Sequence, residues 1–189
     1  MFYQKVVKRG FDFIIGLILL VLLWWLMAIV AIVILCKDGA PVLFKQQRVG
    51  QFGRPFKIYK FRTMVKNAES IGPKSTKIGD KRITPVGAFL RKTSLDELPQ
   101  VFNLIKGDMS IVGYRPGAAE NYAENDFTSG MFNVKPGITG YAQVNGRSTL
   151  TLAAKREWEL KYIEDISFLT DVKILLKTVE VVLKRSGTN

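Results

Sequence analysis

The stretch FIIGLILLVLLWWLMAIVAIVIL, residues 13–35, runs for 23 residues without a charge. At about 1.5 Å rise per residue it makes a helix about 34 Å long, enough to cross a hydrocarbon core of about 30 Å. It is too long for the apolar core of a signal peptide, and Cys36 follows Ile34-Leu35 rather than the small residues of a cleavage site. Basic residues flank both ends, with Lys5, Lys8 and Arg9 before and Lys37, Lys45 and Arg48 after, so charge asymmetry does not orient the helix. Either the segment enters the membrane and returns, leaving both flanks on the cytoplasmic side, or it spans. Trp24-Trp25 lies at its middle, although tryptophan prefers the membrane–water interface. Of the two, re-entry is the expectation. The chain divides into a membrane-inserted helix, residues 1–38, and a small cytosolic domain, residues 39–189. The predicted class is α+β and mostly helical, with short strands and surface amphipathic helices.

The totals narrow the chemistry. The net charge is +12 over 189 residues, with a pI near 9.9, so an anionic partner is expected: nucleic acid, anionic lipid or a phosphorylated substrate. No histidine is present, which excludes His general bases, Ser-His-Asp triads and His-ligated zinc. One cysteine, Cys36, excludes an intrachain disulfide and thiolate-rich metal sites. A bound metal would be a hard cation on oxygen ligands, with Mg²⁺ the default.

Two adjacent carboxylates stand out in Arg91-Lys92-Thr93-Ser94-Leu95-Asp96-Glu97-Leu98-Pro99-Gln100. Ser94 and Glu97 have capping-box spacing, but a cap at Ser94 would put Pro99 one turn into the helix, so a start at Leu95 or Asp96 suits it better, with an end at Gly107. The free N–H groups of a first helical turn favour phosphate, and the helix dipole keeps carboxylates there ionised. An ionised Asp can attack phosphorus or hold a metal.

Upstream of this pair, Val42-Leu43-Phe44 and the segment Phe56 to Met64 read as strands of a hairpin punctuated by Gly50 and Gly53. Residues 66–81 read as a polar loop, and Pro85 to Lys92 as a short helix that delivers Arg91 to the carboxylates. Downstream, Met109 to Val112 is a short strand entering Gly113-Tyr114-Arg115-Pro116, a turn suited to holding Arg115 as a bidentate phosphate clamp. Ala118 to Asp126 reads as a weak helix. Residues 135–147, with three glycines and one proline, form a constrained loop in which Lys135, Gln143, Asn145 and Arg147 supply donors. The Gly-Lys-Ser/Thr ending of a Walker A loop is absent. Leu152 to Asp165 and Ser167 to Arg185 are helical, the second with an apolar face and a basic one.

Taken together, six blocks in order resemble the monotopic phosphoglycosyl transferases, the bacterial sugar transferase family acting on polyprenyl phosphate. They are Phe44-Lys45-Gln46 with Arg48-Val49-Gly50; Tyr59-Lys60-Phe61-Arg62-Thr63-Met64; Leu90-Arg91 through Gln100; Asn103 through Ser110; Arg115-Pro116; and Pro136 through Gly140 with Gln143 through Arg147. The resemblance covers nearly the whole chain. It implies transfer of a sugar-1-phosphate from a nucleotide-activated sugar, usually a UDP-sugar, to polyprenyl (undecaprenyl) phosphate. The products are polyprenyl-diphosphate-sugar and UMP. It further implies that Asp96 is the nucleophile, that Glu97 completes the dyad, that Mg²⁺ binds at Asp96 and Glu97, and that the work is done on the cytoplasmic face of the bacterial inner membrane. Arg91 and Arg115, with Lys60, Lys135 and Arg147, are the cations available to the phosphates. Two departures are visible: Trp24-Trp25 stands where the family breaks its helix with Ser-Pro, and Glu159 precedes Tyr162 where many members carry Asp. Specificity for the sugar is expected in residues 117–132, the least family-like segment. A nucleic-acid-binding scaffold is the competing class; the acidic pair set among basic residues argues against it. Direct attack by the lipid phosphate in a ternary complex is the alternative route for the same transfer.

Overall fold

The structure is a computed structural model that describes residues 3–72, 79–146 and 149–184. A π-helical turn, Tyr3–Val7, leads into α1 (Lys8–Asp38), which continues through Trp24-Trp25 as one helix of 31 residues. No proline interrupts it there, so the family's helix break is not reproduced. An antiparallel hairpin follows, β1 (Leu43–Val49) with β2 (Pro55–Phe61), registered so that Leu43 faces Phe61 and Val49 faces Pro55. Next come α2 (Ala68–Ile71), α3 (Pro85–Thr93), a 3₁₀ turn (Leu95–Glu97), α4 (Gln100–Lys106), β3 (Ser110–Val112), α5 (Glu124–Thr128), β4 (Gly137–Thr139), α6 (Tyr141–Val144), α7 (Leu152–Asp165) and α8 (Phe168–Leu183). β3 and β4 pair in parallel, with Ser110 opposite Gly137 and Val112 opposite Thr139. The class is α+β, mostly helical, as the sequence predicts.

Neither two-stranded sheet would stand alone in water, and each is held by helices packed on it. One core gathers Val49, Val112, Tyr114, Met131, Phe132, Tyr162 and Ile174, joining β1 and β3 to α7 and α8. The other joins Met27, Val30 and Ile34 of α1 to Phe61, Leu90 and Val101. Those three α1 residues recur at helical spacing, so a single stripe of α1 faces the domain. Leu19, Leu20, Leu26 and Ala31 pack beside that stripe, while the outer face is bare, with Trp24 60% and Trp25 52% exposed.

Both ends of α1 are fastened to the same domain. At the first end Lys8 pairs with Asp171 at 2.5 Å, and Arg9 donates to the carbonyls of Leu104 and Ile105 at 2.7 Å each. Asp12 accepts from the Ile111 N–H at 2.9 Å. At the far end Arg62 donates to the Asp38 carbonyl at 2.6 Å, and Thr84 donates to the Asp38 carboxylate at 2.8 Å.

The reading of Ser94 needs correction. Ser94 adopts a left-handed conformation, φ 57°, closes α3 and forms no side-chain cap. Asp96 and Glu97 lie in the 3₁₀ turn, and α4 starts only at Gln100, after Pro99. The chain has to reverse at residue 94 to bring Asp96 back under β2, which a regular helical cap would prevent. Within that turn the Glu97 N–H is bonded to the Ser94 carbonyl and the Leu98 N–H to the Leu95 carbonyl, so these donors are not free for a phosphate. The helix does end at Gly107, whose φ of 90° suits glycine alone.

Candidate active site

Three elements converge on the carboxylate pair. β2 carries Lys60, α3 carries Arg91, and the segment after β3 carries Arg115; all three line one cavity of about 1140 Å³ together with Asp96 and Glu97. α3 is placed by Thr84, which caps it by accepting from the Gly87 N–H at 2.9 Å. Gly87 lies so close to β2's continuation that a Cβ there would meet the Thr63 carbonyl oxygen at 2.0 Å. With α3 seated this tightly, Arg91 Nε donates to Thr63 Oγ1 at 2.8 Å, which fixes the guanidinium at the cavity wall.

Glu97 is pinned from two sides. Its Oε1 accepts from Lys60 Nζ at 2.7 Å and from Arg115 Nη2 at 2.8 Å. Burial alone would lift its pKa, but the Arg115 and Lys60 cations outweigh burial and hold the carboxyl at about 2. Asp96 is 9% exposed. Burial pushes its pKa up; Lys60 and Arg91 pull down and the Glu97 charge adds to the rise, leaving it above the ordinary Asp range. Adjacent carboxylates are thus driven in opposite directions, the pattern expected where two acids hold different roles. The expectation that a helix dipole keeps both ionised is replaced by this one: side-chain cations set Glu97, and enclosure sets Asp96.

Among the described residues no group of three or more His, Cys, Asp or Glu side chains is arranged to hold a metal. Two carboxylates on a cation-lined cavity are nevertheless a donor set suited to Mg²⁺, which takes one or two protein carboxylates and completes its shell with water and phosphate oxygens.

The other expected residues divide. Gln143 lines the large cavity, and its carboxamide nitrogen and oxygen are both buried without a partner. Lys135 lies instead among Arg9, Asp12 and Asp108, beside the start of α1, and lines neither described cavity. Asn145 faces α8, accepting from Lys177 Nζ at 2.6 Å and donating to the Tyr141 carbonyl at 2.9 Å. Pairing of β4 beside β3 turns the loop around them so that only part of it reaches the site. Arg147 lies outside the described residues.

Several contributors were not among the expected site residues. Arg48 and Lys155 line the large cavity and also a second one of about 280 Å³ behind the Glu97–Arg115 pair. Arg48, half-buried on β1, had read as a flanking charge and as part of the first family block, without a role in the site. Glu159, on α7, accepts from the Arg115 N–H at 3.3 Å, and burial pushes its pKa up to about 7. Tyr122 accepts from the Gly117 N–H at 2.8 Å and donates to the Arg115 carbonyl at 3.1 Å. The backbone of Arg115 is therefore held on both sides while its guanidinium reaches Glu97.

A family model described as bacterial sugar transferase matches residues 3–185. The chain belongs to the bacterial sugar transferase family. It is 41% identical to a Bacillus subtilis (strain 168) protein named uncharacterized sugar transferase EpsL, over 96% of this chain and 90% of that one. It is 40% identical to the UDP-glucose:undecaprenyl-phosphate glucose-1-phosphate transferase of Escherichia coli K12, over 93% of this chain and 40% of that protein. A third relative, the galactosyl transferase CpsE of Streptococcus agalactiae, is 39% identical over 98% of this chain and 44% of its own length. The chain spans less than half of the last two relatives. The region covered by the family model takes in the cavity, its carboxylate pair and all of α1.

Proposed function

We propose that this sugar transferase moves a sugar-1-phosphate from a UDP-sugar to a polyprenyl phosphate, giving polyprenyl-diphosphate-sugar and UMP, at the cytoplasmic face of a bacterial inner membrane. The observation that carries the reading is a buried aspartate beside a glutamate pinned by two cations, on a cation-lined cavity. That cavity also takes in Pro41, Leu43 and Phe44, just after the apolar α1, so it offers a lipid-linked phosphate an apolar approach. The names of relatives agree: the Escherichia coli protein is a UDP-glucose:undecaprenyl-phosphate glucose-1-phosphate transferase, and a Salmonella typhimurium relative is an undecaprenyl-phosphate galactose phosphotransferase.

In this reading an Asp96 carboxylate oxygen attacks the phosphorus that bears the sugar. The bond from that phosphorus to the UMP oxygen breaks, and its electron pair leaves with UMP. An acyl phosphate now joins Asp96 to the sugar phosphate. An oxygen of the polyprenyl phosphate attacks the same phosphorus, the bond to Asp96 breaks, and the carboxylate is restored. Such transfers depend chiefly on positioning and on positive charge around the phosphoryl oxygens. Arg91, on its Thr63 hydrogen bond, and Arg115, on Glu97, supply two fixed guanidinium groups. Lys60 balances Glu97, so the second carboxylate does not repel the incoming diphosphate. Mg²⁺ on the carboxylate pair and the donor's phosphate oxygens would add further positive charge.

The test uses the full chain in lipid nanodiscs with Mg²⁺, undecaprenyl phosphate and a panel of UDP-sugars, measuring UMP release. Asp96→Asn is expected to lower release at least a thousandfold, and a sugar-labelled donor supplied without acceptor should leave label on the protein. Retention of near wild-type release by Asp96→Asn would overturn the assignment. Loss of release with no label ever trapped would move the chemistry to direct attack in a ternary complex.

A further inference from the structure

We infer that the 280 Å³ chamber behind the Glu97–Arg115 pair receives the hexose of the donor, and that Glu159 reads one of its hydroxyl groups; this rests on the function proposed above. The chamber shares Arg48, Lys60, Arg115 and Lys155 with the large cavity, so a group attached to a phosphate held there can enter it. Its volume falls just under the roughly 300–1,000 Å³ of pockets for drug-sized ligands and suits a single sugar ring.

The lining is made for a polyol. One wall is the face of α7 that presents Lys155, Arg156 and Glu159; the facing wall is the loop of Gly117, Asn121 and Tyr122. A sugar hydroxyl both donates and accepts, and these walls offer ammonium and guanidinium donors with a carboxyl acceptor among them. Glu159 is 7% exposed, and its hydrogen bond from the Arg115 N–H engages Oε1. With its pKa raised to about 7, a neutral Glu159 is accessible at physiological pH, so it can either donate to or accept from a hydroxyl.

A nucleobase suits the chamber poorly. Tyr122 is the one aromatic residue in the lining, and its ring is already committed. The Arg156 guanidinium lies 4.9 Å from its centroid, and Phe132 and Phe127 stand nearly perpendicular to it with centroids at 5.1 and 6.4 Å. The Arg156 guanidinium takes one face of the ring and the two phenylalanines crowd it further, which leaves a base little to stack on. Arg156 also pairs with Asp126 at 2.6 Å and donates to the Asn121 carbonyl at 2.8 Å, which holds the loop wall against α7. The loop wall belongs to residues 117–132, the segment in which sugar specificity is expected from the sequence.

The experiment compares wild type and Glu159→Gln in nanodiscs with undecaprenyl phosphate and Mg²⁺. It measures kcat/KM for UDP-glucose, UDP-galactose, UDP-N-acetylglucosamine and UDP-N-acetylgalactosamine, and inhibition by UMP. The expected result is a change of at least tenfold in the ratio between two donors, with the UMP inhibition constant unchanged. An equal fall for all four donors would overturn the inference, because Glu159 would then act only through the Arg115 backbone. Weakened UMP inhibition with an unaltered donor ratio would overturn it as well, placing the nucleoside in the chamber. Leu152, exposed at the chamber's edge, gives a second variant that leaves the core intact: Leu152→Trp should raise KM for the acetamido donors at least fivefold over the plain hexoses, and equal KM changes would count against the chamber. Wild-type protein that releases no UMP from any UDP-sugar would instead remove the function on which the inference rests.

Discussion

Glu97 and Glu159 sit on opposite sides of Arg115, and enclosure acts on both, yet only Glu97 has cations close enough to reverse it. The consequence is a pH dependence of opposite sign. A carboxyl held at about 2 contributes stability above its unfolded pKa near 4.5, and loses it as pH falls towards 2. A carboxyl raised to about 7 does the reverse: folding is unaffected by it below 4.5, and stability drops as pH climbs from 4.5 to 7. Glu159→Gln removes that loss. Its thermal midpoint should exceed wild type at pH 8, by up to about 3 kcal/mol in stability from the shift of two to three pKa units, and the gain should vanish at pH 4.5. Thermal unfolding at the two pH values checks this; a difference that does not change with pH would contradict it. At this scale the sequence carried the chemistry that a contiguous motif encloses. Asp96, Glu97 and Arg91 fall within seven residues, so local spacing alone brings them near one another. Glu159 was legible only as a departure, because its burial comes from α7 packing against a loop some 40 residues upstream. Lys135 was misplaced for a similar reason: parallel pairing of β4 with β3 decides which way its loop faces.

Elements followed the patterns of apolar spacing more faithfully than those of capping. α7 and α8 run as their periodicity predicts, with Thr151 and Ser167 accepting from Ala154 and Thr170 N–H groups as side-chain caps. The hairpin forms as read, although β1 extends through the basic residues to Val49. The failure was at Ser94, where a sound capping signal was overridden by a left-handed turn that the tertiary position of Asp96 requires. α3 is the element on which the site leans most, since it presents Arg91. Its cap, Thr84, is buried and has two tasks, accepting from Gly87 and donating to Asp38 at the end of α1. Thr84→Val preserves the shape and loses both bonds. The expected cost is about 1–2 kcal/mol, which in a chain of this size lowers the thermal midpoint by roughly 3–6 °C. The transfer rate should fall with it as Arg91 loses its fixed seat. A midpoint shift below about 1 °C would show that α3 is positioned by its apolar contacts alone.

Across the whole molecule, the apolar stretch at residues 13–35 announced a membrane helix, but its relation to the domain depended on partners the sequence does not place nearby. Arg9 bonds carbonyls about 95 residues away, and Asp12 an N–H 99 residues away. Those bonds, with Asp38 held by Arg62 and Thr84, attach both ends of a helix about 46 Å long to one folded body. A helix crossing the bilayer would separate its ends by the membrane's thickness, and a polar domain could hold only one of them. An unbroken helix lying along the domain, its outer stripe in lipid, keeps every one of these bonds. It also accounts for Trp24-Trp25: in a shallow helix the middle residues lie at interfacial depth, where tryptophan is favoured, instead of at the bilayer centre. α8 offers matching surface, with Leu169, Leu176, Val179, Val182 and Leu183 more than half exposed. The arrangement predicts that Gly10 and Lys37 share one side of the membrane. In a Cys36→Ser background, Gly10→Cys and Lys37→Cys each place one thiol at an exposed position, and a Cβ at Gly10 meets nothing within 4 Å. A membrane-impermeant maleimide should label both variants in inverted inner-membrane vesicles and neither in intact spheroplasts. Labelling of the two from opposite sides would mean that α1 spans, and that at least one of its two sets of bonds to the domain is absent in the membrane.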